Sequence, residues 1–420
     1  MNVENHNPEQ MKHDNNNTLC FFTASYPYGI KSETFIDAEM KYHSKVFQKV
    51  YVIPHYKESD FIRETQENVE ILDFLTKETI TKKNKLAAGF GSPLLAIKII
   101  LSEISSKGLR AFAKNFKIFM DILLIQICVA KKIEKHLLHR LPPNCIFYDF
   151  WFENSTLALA ILKHKKLING FVTKAHGFDV YDERWGSVGV PYRNWKIKKI
   201  DALYLVSDFG IKYIKERISE KYHNKIHLSR YGVIRKQVKY EKKAPKPFKT
   251  IVSCARLVSF KMIDQIPLLL KGITEPVHWI HFGDGEEREK VEQACKPLPD
   301  NIKYTLMGQV DNKDVVEYYV NNQVDLLISL STTEGLPVSM IEALSFNIPI
   351  VAVPAGGVPE LVIDGETGFL LNNPEDTLKS TEILAKALNY PFEKNRIEVF
   401  FNNNINADVN YPNFIKEICQ

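Results

Sequence analysis

Two glutamates eight residues apart, Glu334 and Glu342, lie within the stretch VDLLISLSTTEGLPVSMIEALSFNIPIVAVPAGGVPELVIDGETGFLL, Val324 to Leu371. Carboxylates grip hydroxyl groups. On a helix rising about 1.5 Å per residue these two stand roughly 12 Å apart, comparable to the span from a sugar across a diphosphate to a ribose. Ser331, Thr332 and Thr333 can cap a helix start, and Pro337 suits a first turn, where a backbone N–H has no acceptor. The bare N–H groups and the positive dipole end there make an anion site, and phosphate is its natural guest. Leu336, Met340, Ile341 and Leu344 fall on one helical face, and Glu342 is expected to point away from it. Exposed helices often carry glutamates at such spacing, so the pair counts only through its setting.

That setting is a strand–helix–strand unit. Val324–Leu330 and Ile348–Val353 read as buried strands on either side of the helix, followed by turns at Gly356-Gly357 and at Gly365 and Gly368. Ligands bind at the carboxyl ends of strands in open α/β sheets. Two more strand ends carry charged or imidazole groups. Thr250–Ala255 leads into Arg256 and Lys261, which alone would read as solvated loop cations. Phe171–Lys174 delivers His176, Gly177 and Asp179, where Gly177 permits a tight turn and Asp179 is near enough to orient an imidazole. A lone histidine is more often structural, and the grouping is what raises it. Weaker candidates are Gly29, after the strand Leu19–Ala24, with Glu33 expected in the first turn of the next helix; Gly283, in a turn after Val277–Phe282; and Val310, after Tyr304–Met307. Asn154 or Ser155 is placed near the cap of the helix after Cys145–Tyr148.

The E-x7-E spacing with GLP behind the first glutamate, the segment EALSFNIPIVAVPAGGVPELV, the R-x4-K pair and the phrase HGFDVY together resemble the retaining family-4 glycosyltransferases (glycosyl transferases group 1) of the GT-B fold. The resemblance implies an α/β protein of two Rossmann-like domains facing across a cleft, with a C-terminal helix crossing back to the first. It gives Arg256 and Lys261 to the donor diphosphate, with backbone at Gly335, Leu336 and Pro337. Glu342 goes to the ribose and Glu334 to the donor sugar hydroxyls. His176 is placed beside the transferred sugar, with Asp179 as its companion. Gly29, Gly283 and Val310 become further donor contacts. Where the family often has a Gly-Gly pair after the first strand, this chain has Gly29 alone, and Met262 replaces a small residue after Lys261. Retention in the family is explained by front-face attack, the leaving phosphate taking the acceptor's proton. That route needs no metal, and no Asp-x-Asp motif is present.

The 420 residues, 45% of them hydrophobic, suit two α/β domains. The expected division is a disordered leader over 1–17, an acceptor-side domain over 18–235 joined by 400–420, a Lys/Pro-rich linker over 236–249, and a nucleotide-sugar domain over 250–399. A net charge of +5 does not imply nucleic acid. Six scattered cysteines argue for a reducing compartment and against a disulfide or zinc framework. No signal peptide or membrane span is read, and the expected location is cytoplasmic, with the inner face of the membrane as an option. The helical region Leu86–Leu138 carries eight lysines and arginines from Lys98 to Lys135 and is a candidate for anionic membrane contact; the plainer expectation is that its apolar side packs on the sheet.

The expected function is transfer of a hexosyl unit from a nucleotide diphosphate sugar, uridine diphosphate ahead of guanosine diphosphate, to a glycan or lipid-linked saccharide, in cell-surface polysaccharide synthesis. No cofactor or metal is expected. A non-catalytic nucleotide-sugar sensor or complex subunit, a GT-B epimerase and a glycan phosphorylase remain alternatives. No lysine context for pyridoxal phosphate is found to favour the last.

Overall fold

The computed structural model describes residues 18–29, 33–77, 79–153, 155–236 and 246–420. The expected leader, Asn154 and most of the expected linker lie outside them. The chain forms two compact units. One takes in the described residues up to Val206, then Ile211–Ser229 and Pro412–Gln420; the other takes in Ser207–Gly210 and Arg230–Tyr411.

The elements up to residue 228 are β1 Thr18–Thr23, α1 Ile36–Val46, β2 Lys49–Pro54, β3 Val69–Ile71, α2 Lys82–Phe90, α3 Pro93–Lys107, α4 Leu109–Lys114, α5 Phe116–His136, β4 Ile146–Asp149, α6 Thr156–His164, β5 Val172–Ala175, α7 Arg193–Lys199, β6 Ala202–Leu205, α8 Asp208–Lys215 and β7 Ile226–Leu228. The seven strands pair in parallel in the order β3-β2-β1-β4-β5-β6-β7. Strands covered on both faces must be apolar on both, and all six residues of β1, TLCFFT, are buried. Strand order reverses between β1 and β4, so the loops leaving those two strands open onto the sheet's switch point.

Helices α2 to α4 depart from the plainer expectation. Leu95, Ala96 and Ile99 of α3 are buried, but Leu94, Ile97 and Leu101 on its other side are exposed, as are Leu86 and Phe90 of α2 and Leu109 of α4. The inner sides of these helices pack on α5 and α7, and the outer apolar residues stay exposed. In the sheet's interior, Lys174 lies with no exposed surface, 2.9 Å from Glu39, whose other oxygen accepts from Tyr148. Burial costs a lone ammonium several kcal/mol, and the paired carboxylate offsets it.

The second unit continues with β8 Lys249–Cys254, α9 Ile266–Leu270, β9 Val277–Phe282, α10 Arg288–Cys295, β10 Ile302–Leu306, α11 Asn312–Asn321, β11 Leu326–Ser329, α12 Val338–Ser345, β12 Ile350–Ala352, β13 Gly368–Leu370, α13 Thr377–Asn389 and α14 Lys394–Asn404; α15, Ala407–Ile418, begins here and ends in the first unit. Its parallel order is β10-β9-β8-β11-β12-β13, with the switch point between β8 and β11. The expected strands over 250–255, 324–330 and 348–353 correspond to β8, β11 and β12. The expected helix is shorter than the reading from the carboxylates required, which changes the site.

Candidate active site

In the second unit, the loops leaving β8 and β11 meet at the switch point. Thr332 N–H and hydroxyl both donate to Phe260 O, at 2.9 and 3.2 Å, tying the loops together. This tie brings Lys261 Nζ within 2.5 Å of Glu334 Oε1, a charge-assisted contact between a partly covered lysine and a buried glutamate. Arg256, on the same loop, is exposed and forms no ion pair with a described residue. Met262 holds φ +52, a left-handed backbone that glycine occupies at less cost.

Glu334 is not on the helix. α12 begins at Val338 with Pro337 as its N-cap residue, in extended conformation, so the cap position is not Ser331, Thr332 or Thr333. The helical separation of Glu334 and Glu342 therefore does not apply; a four-residue loop, Glu334–Pro337, intervenes. Its backbone is packed by glycines further on. Gly357 N–H donates to Gly335 O at 2.9 Å, and a Cβ on Gly356, at φ +56, would lie 1.9 Å from Glu334 O. Only a glycine pair lets that turn close over the loop. The N–H groups of Val338 and Ser339 precede the first acceptor of α12, while those of Met340 and Ile341 donate to Pro337 O at 3.2 and 3.3 Å. Leu336 and Pro337 have buried side chains, so they can offer a ligand only backbone.

Glu342 is buried, not turned outward: every α12 residue from Met340 to Ser345 is buried, because the helix is covered all round. Burial pushes its carboxyl up to about 7, against the lowering effect of the bond it accepts from Asn312 Nδ2 at 2.6 Å. Asn312 opens α11, two residues after Val310. The sequence reading stopped at Val310 because a lone asparagine after a strand carries no signal of a distant carboxylate partner. Gly283 serves packing: its N–H donates to Gly308 O, and a Cβ would lie 1.9 Å from Ala255 O.

In the first unit, His176 follows β5 and is 7% exposed. Its ring stacks on Phe150, with centroids 4.6 Å apart, and meets Trp151 edge-on at 4.4 Å. Asp179 is fully buried. One oxygen accepts from His176 N–H and Gly177 N–H, at 2.8 and 3.1 Å; the other accepts from Phe152 N–H at 2.9 Å and lies 3.6 Å from His176 Nδ1. Burial raises this carboxyl, yet the histidine and the backbone donors outweigh it and hold it below its ordinary value. Asp179 thus holds the loop that presents His176 through backbone donors, and its second oxygen also faces the imidazole.

Gly29 and Glu33 are also corrected. Gly29, φ +83, donates its N–H to Phe61 O and forms a turn. Glu33 precedes α1 rather than opening it, with φ +54, and its carboxylate folds back to take the N–H groups of Ala24, Ser25 and Tyr26 at 3.0, 2.7 and 2.7 Å. The N–H groups of residues 24–26 after β1 are thus filled from within. Ser155 is the N-cap residue of α6 without a side-chain bond; Asp149 takes its N–H and the Thr156 hydroxyl instead. Among the described residues no group of three or more His, Cys, Asp and Glu is placed to hold a metal ion.

Residues 235–398 match the family described as glycosyl transferases group 1. The chain is 33% identical over 142 residues to an uncharacterised glycosyltransferase of Haemophilus influenzae, covering 32% of this chain and 39% of the relative. It is 26% identical over 250 residues to an uncharacterised glycosyltransferase of Methanocaldococcus jannaschii, covering 59% and 67%. To a putative colanic acid biosynthesis glycosyltransferase of Salmonella typhimurium it is 26% identical, over 52% of this chain and 56% of the relative. Among solved structures, sucrose-phosphate synthase from Thermosynechococcus elongatus superposes with a TM-score of 0.68 at 13% identity, over 95% of this chain and 98% of that one. The apo lipopolysaccharide outer core galactosyltransferase WaaB gives 0.61 at 15%, over 96% and 98%. Anabaena HepE with UDP-glucose gives 0.61 at 14%, over 96% and 99%. With two Rossmann-type parallel sheets and this likeness along nearly its whole length, the chain has the GT-B fold, with residues 235–398 matching glycosyl transferases group 1.

Proposed function

We propose that this chain is a retaining hexosyltransferase that uses a nucleotide diphosphate sugar, UDP-linked ahead of GDP-linked, and a glycan or lipid-linked saccharide acceptor, in polysaccharide synthesis. The observation that carries the reading is the group at the second unit's switch point: exposed Arg256, Lys261 held on Glu334, and the start of α12 beside them. A planar guanidinium and an ammonium suit a diphosphate. In the transfer, the bond from the sugar's anomeric carbon to the β-phosphate oxygen breaks, and the acceptor oxygen bonds to that carbon on the same face. The acceptor's proton passes to the leaving phosphate, whose charge Arg256 and Lys261 stabilise. Glu334, freed from Lys261 as the ammonium turns to phosphate, accepts from sugar hydroxyls; Glu342 accepts from the ribose. His176 is the first unit's candidate for contact with the transferred sugar. HepE, a structural neighbour, was solved with UDP and glucose, which supports the choice of donor class.

The test is nucleoside diphosphate release from a panel of UDP- and GDP-sugars with a mixed saccharide acceptor pool, wild type against Glu334→Ala. Release with the wild type alone is expected. Tight UDP binding with no release from any donor would favour the sensor, and conversion of the sugar nucleotide without an acceptor would favour the epimerase.

The reading includes a cytoplasmic location with contact to an anionic bilayer through α2 to α4. Phe90, Leu94 and Leu109 are 83, 76 and 67% exposed. From Lys82 to Ile118 the only acid is Glu103, which is buried, while Lys82, Lys83, Lys98, Arg110, Lys114 and Lys117 are exposed. Such a face repels a second copy of itself and fits anionic headgroups, at about 1 kcal/mol per cation near the surface. Among the described residues no single helix is long and apolar enough to cross a membrane; α2 and α3 together pass on length and composition but are bent by 95°. Flotation with phosphatidylglycerol vesicles at low salt, lost on phosphatidylcholine and in Phe90→Asp/Leu94→Asp, is expected. Equal flotation of that variant, or self-association of the wild type that the variant abolishes, would overturn it.

A further inference from the structure

Glu33 spends a buried carboxylate and a strained backbone on a task the proposed reaction does not explain. It is 7% exposed and sits at φ +54, where a side chain with a Cβ is disfavoured. Among the described residues, the hydrogen bonds to its carboxylate come from uncharged donors. These are three consecutive N–H groups after β1, the Ser25 hydroxyl at 3.4 Å, and Trp151 Nε1 at 2.5 Å. The last bond crosses the switch point of the first sheet, from the loop after β1 to the loop after β4. Arg63 supports the arrangement from outside, donating to the backbone oxygens of Gly29 and Glu33.

Trp151 is the link to the candidate site. Its indole meets the His176 ring at 4.4 Å and 60°, while Phe150, its chain neighbour, stacks on the same imidazole at 4.6 Å. Asp179 secures His176 by its backbone N–H and lies 3.6 Å from Nδ1 on one side of the ring. The aromatic walls bound the ring on its other sides. Of these, Trp151 lies in a loop and is only partly buried, and its indole N–H is fixed by Glu33.

We infer that Glu33 is a positioning residue: anchored by the backbone donors after β1, it fixes the Trp151 indole and through it the orientation of the His176 imidazole. The inference rests on the reading that His176 serves sugar transfer, since otherwise the orientation has no consequence for turnover. It also accounts for the backbone strain, because a helical Glu33 would aim its carboxylate elsewhere.

The experiment compares Glu33→Gln, Glu33→Asp, Trp151→Phe and the double variant Glu33→Gln/Trp151→Phe with the wild type. Two readouts are used: the His176 imidazole and Trp151 indole NMR signals at one pH, and nucleotide release from the UDP-sugar that gives turnover. Expected are shifted His176 signals in Glu33→Gln and in Trp151→Phe, and no further change in the double variant. Turnover, kcat, should fall about tenfold or more with the donor KM within about twofold, as for misplacement rather than lost binding. Glu33→Asp should recover part of the loss. Unmoved His176 signals in Glu33→Gln, or effects of the two substitutions that simply multiply, would overturn the inference. If the wild type releases no nucleotide from any donor, the proposed reaction fails, and the NMR comparison still decides whether Glu33 orients His176 through Trp151.

Discussion

Replacing Glu342 with glutamine removes a carboxyl whose burial raises it from 4.5 to about 7. A group raised by folding favours the protonated form, so its contribution to stability is whole below about pH 4.5 and is lost as the pH climbs through 7. At about 1.4 kcal/mol per pH unit, the loss amounts to about 3 kcal/mol by pH 8. Glutamine has no such loss and keeps an acceptor for Asn312. Without nucleotide, Glu342→Gln should therefore gain on the wild type by about 3 kcal/mol between pH 4.5 and pH 8, read by urea denaturation across that range. Groups common to both proteins, among them Asp149, which burial pushes up to about 8, cancel in the difference. Ribose hydroxyls favour the ionised carboxylate. Wild-type affinity for UDP should then rise about tenfold from pH 6 to pH 8 relative to the variant, measured by calorimetry. A stability difference that stays flat with pH would refute the argument from burial, and a flat affinity ratio would refute the ribose role.

Glu334→Ala should abolish sugar transfer while UDP affinity stays within a few-fold, and calorimetry beside turnover checks both. Lys261→Met should weaken UDP binding and lower its sensitivity to salt, since it removes a charge that meets phosphate; equal salt slopes would count against the contact. Gly356→Ala should cost about 1–3 kcal/mol, because the residue is left-handed and its Cβ would press on Glu334 O. Thermal melting reads the cost, with a parallel loss of turnover as the loop moves.

The strands of the site and the side chains at their carboxyl ends were largely readable from sequence. Buried apolar runs such as TLCFFT and VDLLISL allow few structures other than central parallel strands, and turn residues at their carboxyl ends then place Arg256, Lys261, His176 and Glu334 at the sheet edge. Local pattern also marks Gly356-Gly357 as a turn. It does not say what the turn closes over, because that depends on backbone from another part of the fold.

Tertiary structure decided the rest through contacts distant in sequence. Ser/Thr-rich loops and Pro337 fit a helix start at several positions, and only the packing of Gly356 and Gly357 onto Glu334 and Gly335 leaves the first glutamate in a loop. An amphipathic pattern sends Glu342 to water; the covering of α12 on every side buries it and shifts its proton affinity. The task of Glu33 was hidden for the same reason, since its partners come from residues 24–26 and from Trp151, more than a hundred residues away. Sequence determined which side chains this protein has for chemistry and which strand ends carry them. The three-dimensional fold determined which are buried, which are paired, and which hold others in place.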